Sequence, residues 1–227
     1  LFSNSASGFG NLAAEGTQEE YRDTFQEMSF LSFWIYGFCA IAFFVLLSPF
    51  VTLWIGAEKC IDMASLFMIV TNCYLQGHYS AYHFARVAKG EFGRDKWLAF
   101  VQAIVNLVVS IACAKAMGLV GVYVGTVVSR LVLIIFRPAL TYRFLFGRSP
   151  MEYYWRTVIY AAVVFITGGA TWAICQMLLT AVTLWRFAAA VAIVAIVPNL
   201  MFACFFGRSI EFGALLRRIK RVLKGRK

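Results

Sequence analysis

Six long apolar runs, separated by short polar segments, set the pattern of this chain. They cover residues 30–51, 63–84, 97–117, 119–136, 157–179 and 184–206, each close to the roughly 20 residues a helix needs to cross a bilayer. The pattern predicts an all-α, polytopic integral membrane helix bundle with six full spanning helices. Runs three and four are nearly continuous and split at 115–118, which reads as a tight turn. Pro49 is expected to bend or end the first span, and Pro198 to kink the sixth. Upstream, Thr17 followed three residues later by Glu20 fits a capping box. A helix is therefore expected from about Gln18, passing through an acidic, water-facing portion (Glu19, Glu20, Asp23, Glu27) into the first span.

The polar positions inside the runs are as informative as the apolar ones. In the second run Asn72, Gln76, Tyr79, His83 and Arg86 recur at spacings of four and three. At about 100° per residue these five fall within an arc of roughly 80° on one helix face. The third run carries Gln102, Asn106 and Ser110 on one face. The fourth carries Thr126, Ser129 and Arg130 and is followed by Arg137. Spanning helices keep such groups where they face protein or a water-filled cavity. One reading is a polar seam that glues helices together. The other is a hydrated cavity whose amides and hydroxyls bind a polyhydroxylated ligand while Arg86, Arg130 and Arg137 attract its negative charge. For Arg130, snorkelling to the headgroups is the plain alternative. Arg86 and Arg137 can equally be topology charges at helix ends. His83 could couple transport to protons, or simply be interfacial. Gly121 and Gly125, four apart, predict close helix packing without chemistry.

Charge then orients the bundle. Of the 21 Lys and Arg, Lys59, Lys115 and Arg186 fall on one side, Arg130 lies inside a span, and all the others fall on the opposite side. The positive-inside rule places both ends in the cytoplasm. Four segments follow: 1–29, the end of a preceding helix plus the acidic helix start; 30–151, four spanning helices; 152–206, two more; and 207–227, a basic tail. The tail has Ile210, Leu215, Leu216, Ile219 and Leu223 at helical spacings and is expected to lie on the anionic cytoplasmic leaflet. Tyr153, Tyr154 and Trp155 form a small aromatic belt, with Trp54 and Trp185 near other span ends.

Composition agrees with a membrane setting: 61% of the 227 residues are hydrophobic and 14% charged, whereas a soluble domain is nearer half apolar and a quarter charged. The net charge of +10 is spread over loops and one tail, which suggests anionic lipid or an anionic substrate and not nucleic acid. The chain opens at Leu1 and is expected to be a piece of a longer one. Five of six cysteines lie in apolar runs with no metal-ligand spacing, so neither a disulfide framework, a metal nor a cofactor is expected. No Ser/His/Asp set, paired carboxylates or phosphate-cradling Gly loop converges, and an enzyme is not expected. No Asp or Glu lies within any predicted span.

Several stretches, in order and spacing, resemble the C-terminal half of bacterial polysaccharide flippases of the multidrug/oligosaccharidyl-lipid/polysaccharide exporter superfamily. They are SGFGNLAAEG (7–16), FWIYGF (33–38), LSPFVTLWIG (47–56), ARVAKGEFGRDKW (85–97), AIVNLVVSIACAKAMGLVGVYVGTVVS (103–129) and Arg137-Pro138. The resemblance covers about residues 7 to 151; the last two spans match only as generic hydrophobic helices. It implies an inner-membrane transporter of two helical lobes around a central cavity. Its substrate would be an undecaprenyl-pyrophosphate-linked oligosaccharide, moved from the cytoplasmic to the outer leaflet by alternating access. This chain would be most of the second lobe plus two extra helices, its partner being the missing N-terminal lobe of the same chain. Arg130 stands where the family leads one to expect a small or polar residue. Rival readings are a drug/cation antiporter of the same superfamily, which favours acidic cavity residues; a membrane polymerase or ligase acting on the same lipid-linked sugars, which usually carries a long outer loop; and a structural membrane subunit.

Overall fold

A computed structural model describes residues 16–88, 96–179 and 181–224, with side chains except those of 78–84, 88, 145 and 218–224. The described residues form helices and no strand. In order they are α1 Gln18–Ile55, a 3-10 turn Ala57–Lys59, α2 Met63–Ala88, α3 Lys96–Met117, α4 Leu119–Thr141, a π turn Tyr142–Phe146, α5 Met151–Leu178, α6 Leu184–Phe206 and α7 Ile210–Lys224. Five of these, α1, α3, α4, α5 and α6, are long and apolar enough to cross a membrane.

α1 starts where the capping box places it. The Thr17 hydroxyl accepts from the Glu20 backbone N–H at 3.3 Å, and the Glu20 carboxylate accepts from the Thr17 N–H at 2.9 Å. Two of the otherwise orphaned first-turn donors are thereby satisfied. The helix then runs for 38 residues. Pro49 does not end it: proline removes a single backbone donor, and the helix closes only at Gly56, whose φ of 105° few side chains tolerate. Likewise α6 continues through Pro198 to Phe206. Nor is the acidic start of α1 wholly water-facing. Glu19, Glu20 and Asp23 are exposed, but the intervening Tyr21, Phe25 and Met28 are buried against Ala85, Tyr142, Phe146 and Tyr153. The Tyr21 hydroxyl donates to the Ala85 carbonyl, tying α1 to the end of α2. Replacing Tyr21 with Phe is expected to cost about 1–2 kcal/mol, because a buried carbonyl loses its donor; thermal melting of the variant in detergent measures it.

α1 is the pillar of the bundle. α2, α5 and α6 all pack against it, with α4 beyond α2 and α3 outermost against α4. The main core is aromatic where α1 meets the last two spanning helices: Phe33 stacks on Tyr160 with ring centroids 4.4 Å apart, and Phe202 and Phe206 close around them. α3 has no buried residue at all. Its apolar surface, including Leu107, Val108 and Ile111, is exposed, which suits lipid and not water.

The tight turn between α3 and α4 is a single residue, Gly118, at φ +60°. Beyond it the two helices pack antiparallel at backbone contact. A Cβ added to Gly121 would sit 2.2 Å from the Cys113 carbonyl, and one added to Gly125 would sit 2.5 Å from the Ser110 nitrogen. The small residues are thus required by the approach.

α7 is docked on the bundle through its first turn. Glu211 pairs with Arg156 of α5, which also binds Glu152 at 3.1 Å. Phe212 stacks on Trp34 of α1 at 5.5 Å, and the Trp34 indole N–H donates to the Asn199 side-chain oxygen of α6 at 2.8 Å. Burial alone would raise the Glu211 pKa, but its backbone hydrogen bond and Arg156 outweigh burial and hold it below the ordinary carboxylate value. A depressed pKa contributes stability that is present above the unfolded value and lost as pH falls through the folded one. Acidification is therefore expected to loosen residues 211–216, read as faster amide exchange. Because the response is carried by the Glu211 carboxylate, Glu211→Gln should weaken it.

Candidate functional site

α2 has two working faces. Met63, Phe67, Val70, Thr71 and Tyr74 line an apolar groove of about 580 Å³ shared with α1 and α5. Asn72 and Gln76 lie on a face turned roughly 175° away, at about 100° per residue, and they meet α4. This apolar groove is therefore not the polar site. The groove contributes hydrocarbon surface, while the chemistry lies on the opposite side of the helix.

On that side Arg130 of α4 donates from Nε to the Asn72 side-chain oxygen at 2.7 Å and from Nη1 to the Gln76 side-chain oxygen. The two acceptors are one helical turn apart, which matches the fork of a guanidinium. Three of its five N–H donors remain outside these two bonds. One residue earlier on α4, Ser129 is buried and turns to the other neighbour. Asn106 of α3 donates to the Ser129 hydroxyl at 3.2 Å and to that of Thr126 at 3.4 Å, and the Ser110 hydroxyl donates to the Val122 carbonyl at 3.3 Å. α4 is thus the centre of a polar seam that joins α2 through Arg130 and α3 through Ser129.

The remaining sequence-selected residues are placed as follows. Gln102 is half-buried on α3 one turn before Asn106. Arg137 lies two turns beyond Arg130 on α4 and is buried, 8% exposed. α2 and α4 are both followed from the same side of the bundle, and the register set by Arg130, Asn72 and Gln76 brings Arg137 to the level of residues 79–83. The side chains of Tyr79 and His83 lie outside the described residues. Arg86 is half-buried in the last turn of α2.

Sequence reasoning selected Asn72, Gln76 and Arg130 separately but did not pair them. Their contact spans 58 and 54 residues of sequence, and only the packing of α2 on α4 creates it. It also left out Gly77, next to Gln76: a Cβ there would lie 2.6 Å from the Tyr36 ring, so α1 is drawn against α2 at the level of the site. The arrangement can bind an anion: a half-buried guanidinium oriented by two neutral amides, with a buried arginine two turns away. Set against family models, curated proteins and solved structures, the chain matches none.

Proposed function

We propose that the chain is the second lobe of a lipid-linked oligosaccharide flippase. It would move undecaprenyl-pyrophosphate-linked sugars from the cytoplasmic to the outer leaflet of a bacterial inner membrane by alternating access. In this reading α2 also crosses the membrane, making six spans, both ends are cytoplasmic, and a first lobe completes the cavity. The observation that carries the proposal is the Arg130 fork on Asn72 and Gln76. A cation inside a membrane is costly and is kept for a reason. Here its orientation is set by two amide oxygens that leave its positive charge in place for a ligand. Amides at Gln102, Asn106 and Gln76 suit the hydroxyls of a sugar, and Arg130, Arg137 and Arg86 suit a pyrophosphate.

The test places single cysteines at Gln76 and Asn106 in a background without the six native cysteines. A membrane-impermeant thiol reagent is then applied to inverted vesicles. Labelling at both positions, blocked by lipid-linked oligosaccharide, is the expected result. No labelling at either, in a protein that still exports, would show that the seam only holds helices together. Labelling blocked by a cationic drug instead would favour an antiporter.

A further inference from the structure

The C-terminal helix α7 combines two properties that its sequence alone does not connect. It is fixed to two spanning helices at one end, α5 and α1, and four of its five basic positions fall on the face turned away from them, Arg218 being the exception. The fixed end is the joint of Glu211 with Arg156 and of Phe212 with Trp34, whose indole N–H is in turn held by Asn199 of α6. Glu211 is only 12% exposed, Ala214 is buried and Leu215 is half-buried, which defines the bundle side. Ile210 and Arg217 are exposed, which defines the opposite side. At about 100° per residue, positions 217, 220, 221 and 224 all fall within an arc of roughly 100° on that outer side. In this sequence they are Arg217, Lys220, Arg221 and Lys224, while Leu216, Ile219 and Leu223 share a flank between the two. The depth of the joint is marked independently: Arg156 follows directly on Tyr153, Tyr154 and Trp155, residue types that gather at headgroup level, and Trp155 is exposed.

From this geometry we infer that α7 is a pre-positioned docking surface for anionic phospholipid headgroups, held at headgroup level by the joint with α1 and α5. The charge complementarity is direct: four cations on one face meet lipid phosphates, and the apolar flank beside them enters the acyl boundary. The joint removes most of the orientational freedom a tethered tail would have to lose, so binding begins from an ordered helix. Because the same joint holds α1 and α5, headgroup binding bears on helices that form the bundle. None of this depends on what the bundle transports.

The protein is reconstituted in nanodiscs of phosphatidylcholine alone or with about a third phosphatidylglycerol, and amide hydrogen exchange is followed over residues 212–224. Each Lys or Arg near an anionic leaflet favours it by about fivefold, so exchange is expected to slow by at least about tenfold in the anionic discs. The difference should vanish at about 1 M salt, where the screening length falls to about 3 Å. It should also vanish when Arg217, Lys220, Arg221 and Lys224 are all replaced by Gln. Equal exchange in both lipids, or a lipid effect that survives the fourfold replacement, overturns the proposal. For the joint, Glu211→Gln is expected to raise several-fold the phosphatidylglycerol fraction needed for half-protection. An unchanged fraction would show that the joint does not pre-position the helix.

Discussion

On the proposed function, replacing Arg130 with alanine is expected to reduce export by at least about thirtyfold, since removing one partner of a hydrogen-bonded charge pair, here the cation that would meet the cargo's pyrophosphate, costs about 2–5 kcal/mol. Membrane insertion and helix content should be unchanged, because the span becomes more apolar. Lysine is the informative second variant. It restores the charge but is a point donor on a flexible stem, so it cannot hold the Asn72 and Gln76 oxygens as a fork does. An intermediate rate is expected for Arg130→Lys. Asn72→Ala and Gln76→Ala should weaken transport less, because each leaves the guanidinium one of its two anchors. Transport assays in inverted vesicles, with parallel thermal melts, separate the two roles the residue could have. Wild-type transport in a destabilised Arg130→Ala protein would make the arginine a helix clamp alone.

The largest loss of stability is expected at the α3–α4 contact. Alanine at Gly121 would drive its methyl into the Cys113 carbonyl at 2.2 Å, and alanine at Gly125 would press on the Ser110 nitrogen at 2.5 Å and its hydroxyl at 2.2 Å. Neither obstacle at Gly121 is a flexible side-chain tip, so the helices must part. Overpacking of this kind costs about 1–3 kcal/mol per site, and leucine at either position should exceed that. Because Asn106 reaches Ser129 across the same contact, separation also disturbs the residue beside Arg130. The Gly125→Leu protein should therefore melt earlier and, on the proposed function, transport more slowly, whereas the exposed Gly169, whose added Cβ meets nothing, should accept alanine with neither change.

What the sequence makes legible here is what depends on neighbours along the chain. The capping box at Thr17, the break at Gly118 and the small-residue pair at Gly121 and Gly125 are local patterns, and each has its structural counterpart. The polar stripe was legible as a stripe because helical spacing alone sets it. What lay beyond reach depends on register between helices. Arg130 reads as a lone cation until α4 is set against α2, and only then do Asn72 and Gln76 become its acceptors. Arg156 reads as a topology charge until α7 folds back on it with Glu211. The acidic start of α1 looked solvated because its charges outnumber its rings. Its buried side is defined by Tyr142, Phe146 and Tyr153, more than a hundred residues away.

The uninterrupted 38-residue span of α1 has a mechanical consequence. At about 1.5 Å per residue it is a rod of about 57 Å, nearly twice the roughly 30 Å thickness of the hydrocarbon layer. One end is gripped by the aromatic cluster around Phe25, and the rest is packed against α2, α5 and α6. A tilt of about 10° pivoting at that cluster would sweep Trp54 by about 8 Å. Such a rod is a lever arm: any small rotation on the Tyr142–Tyr153 side would be geared up into a larger displacement at Trp54.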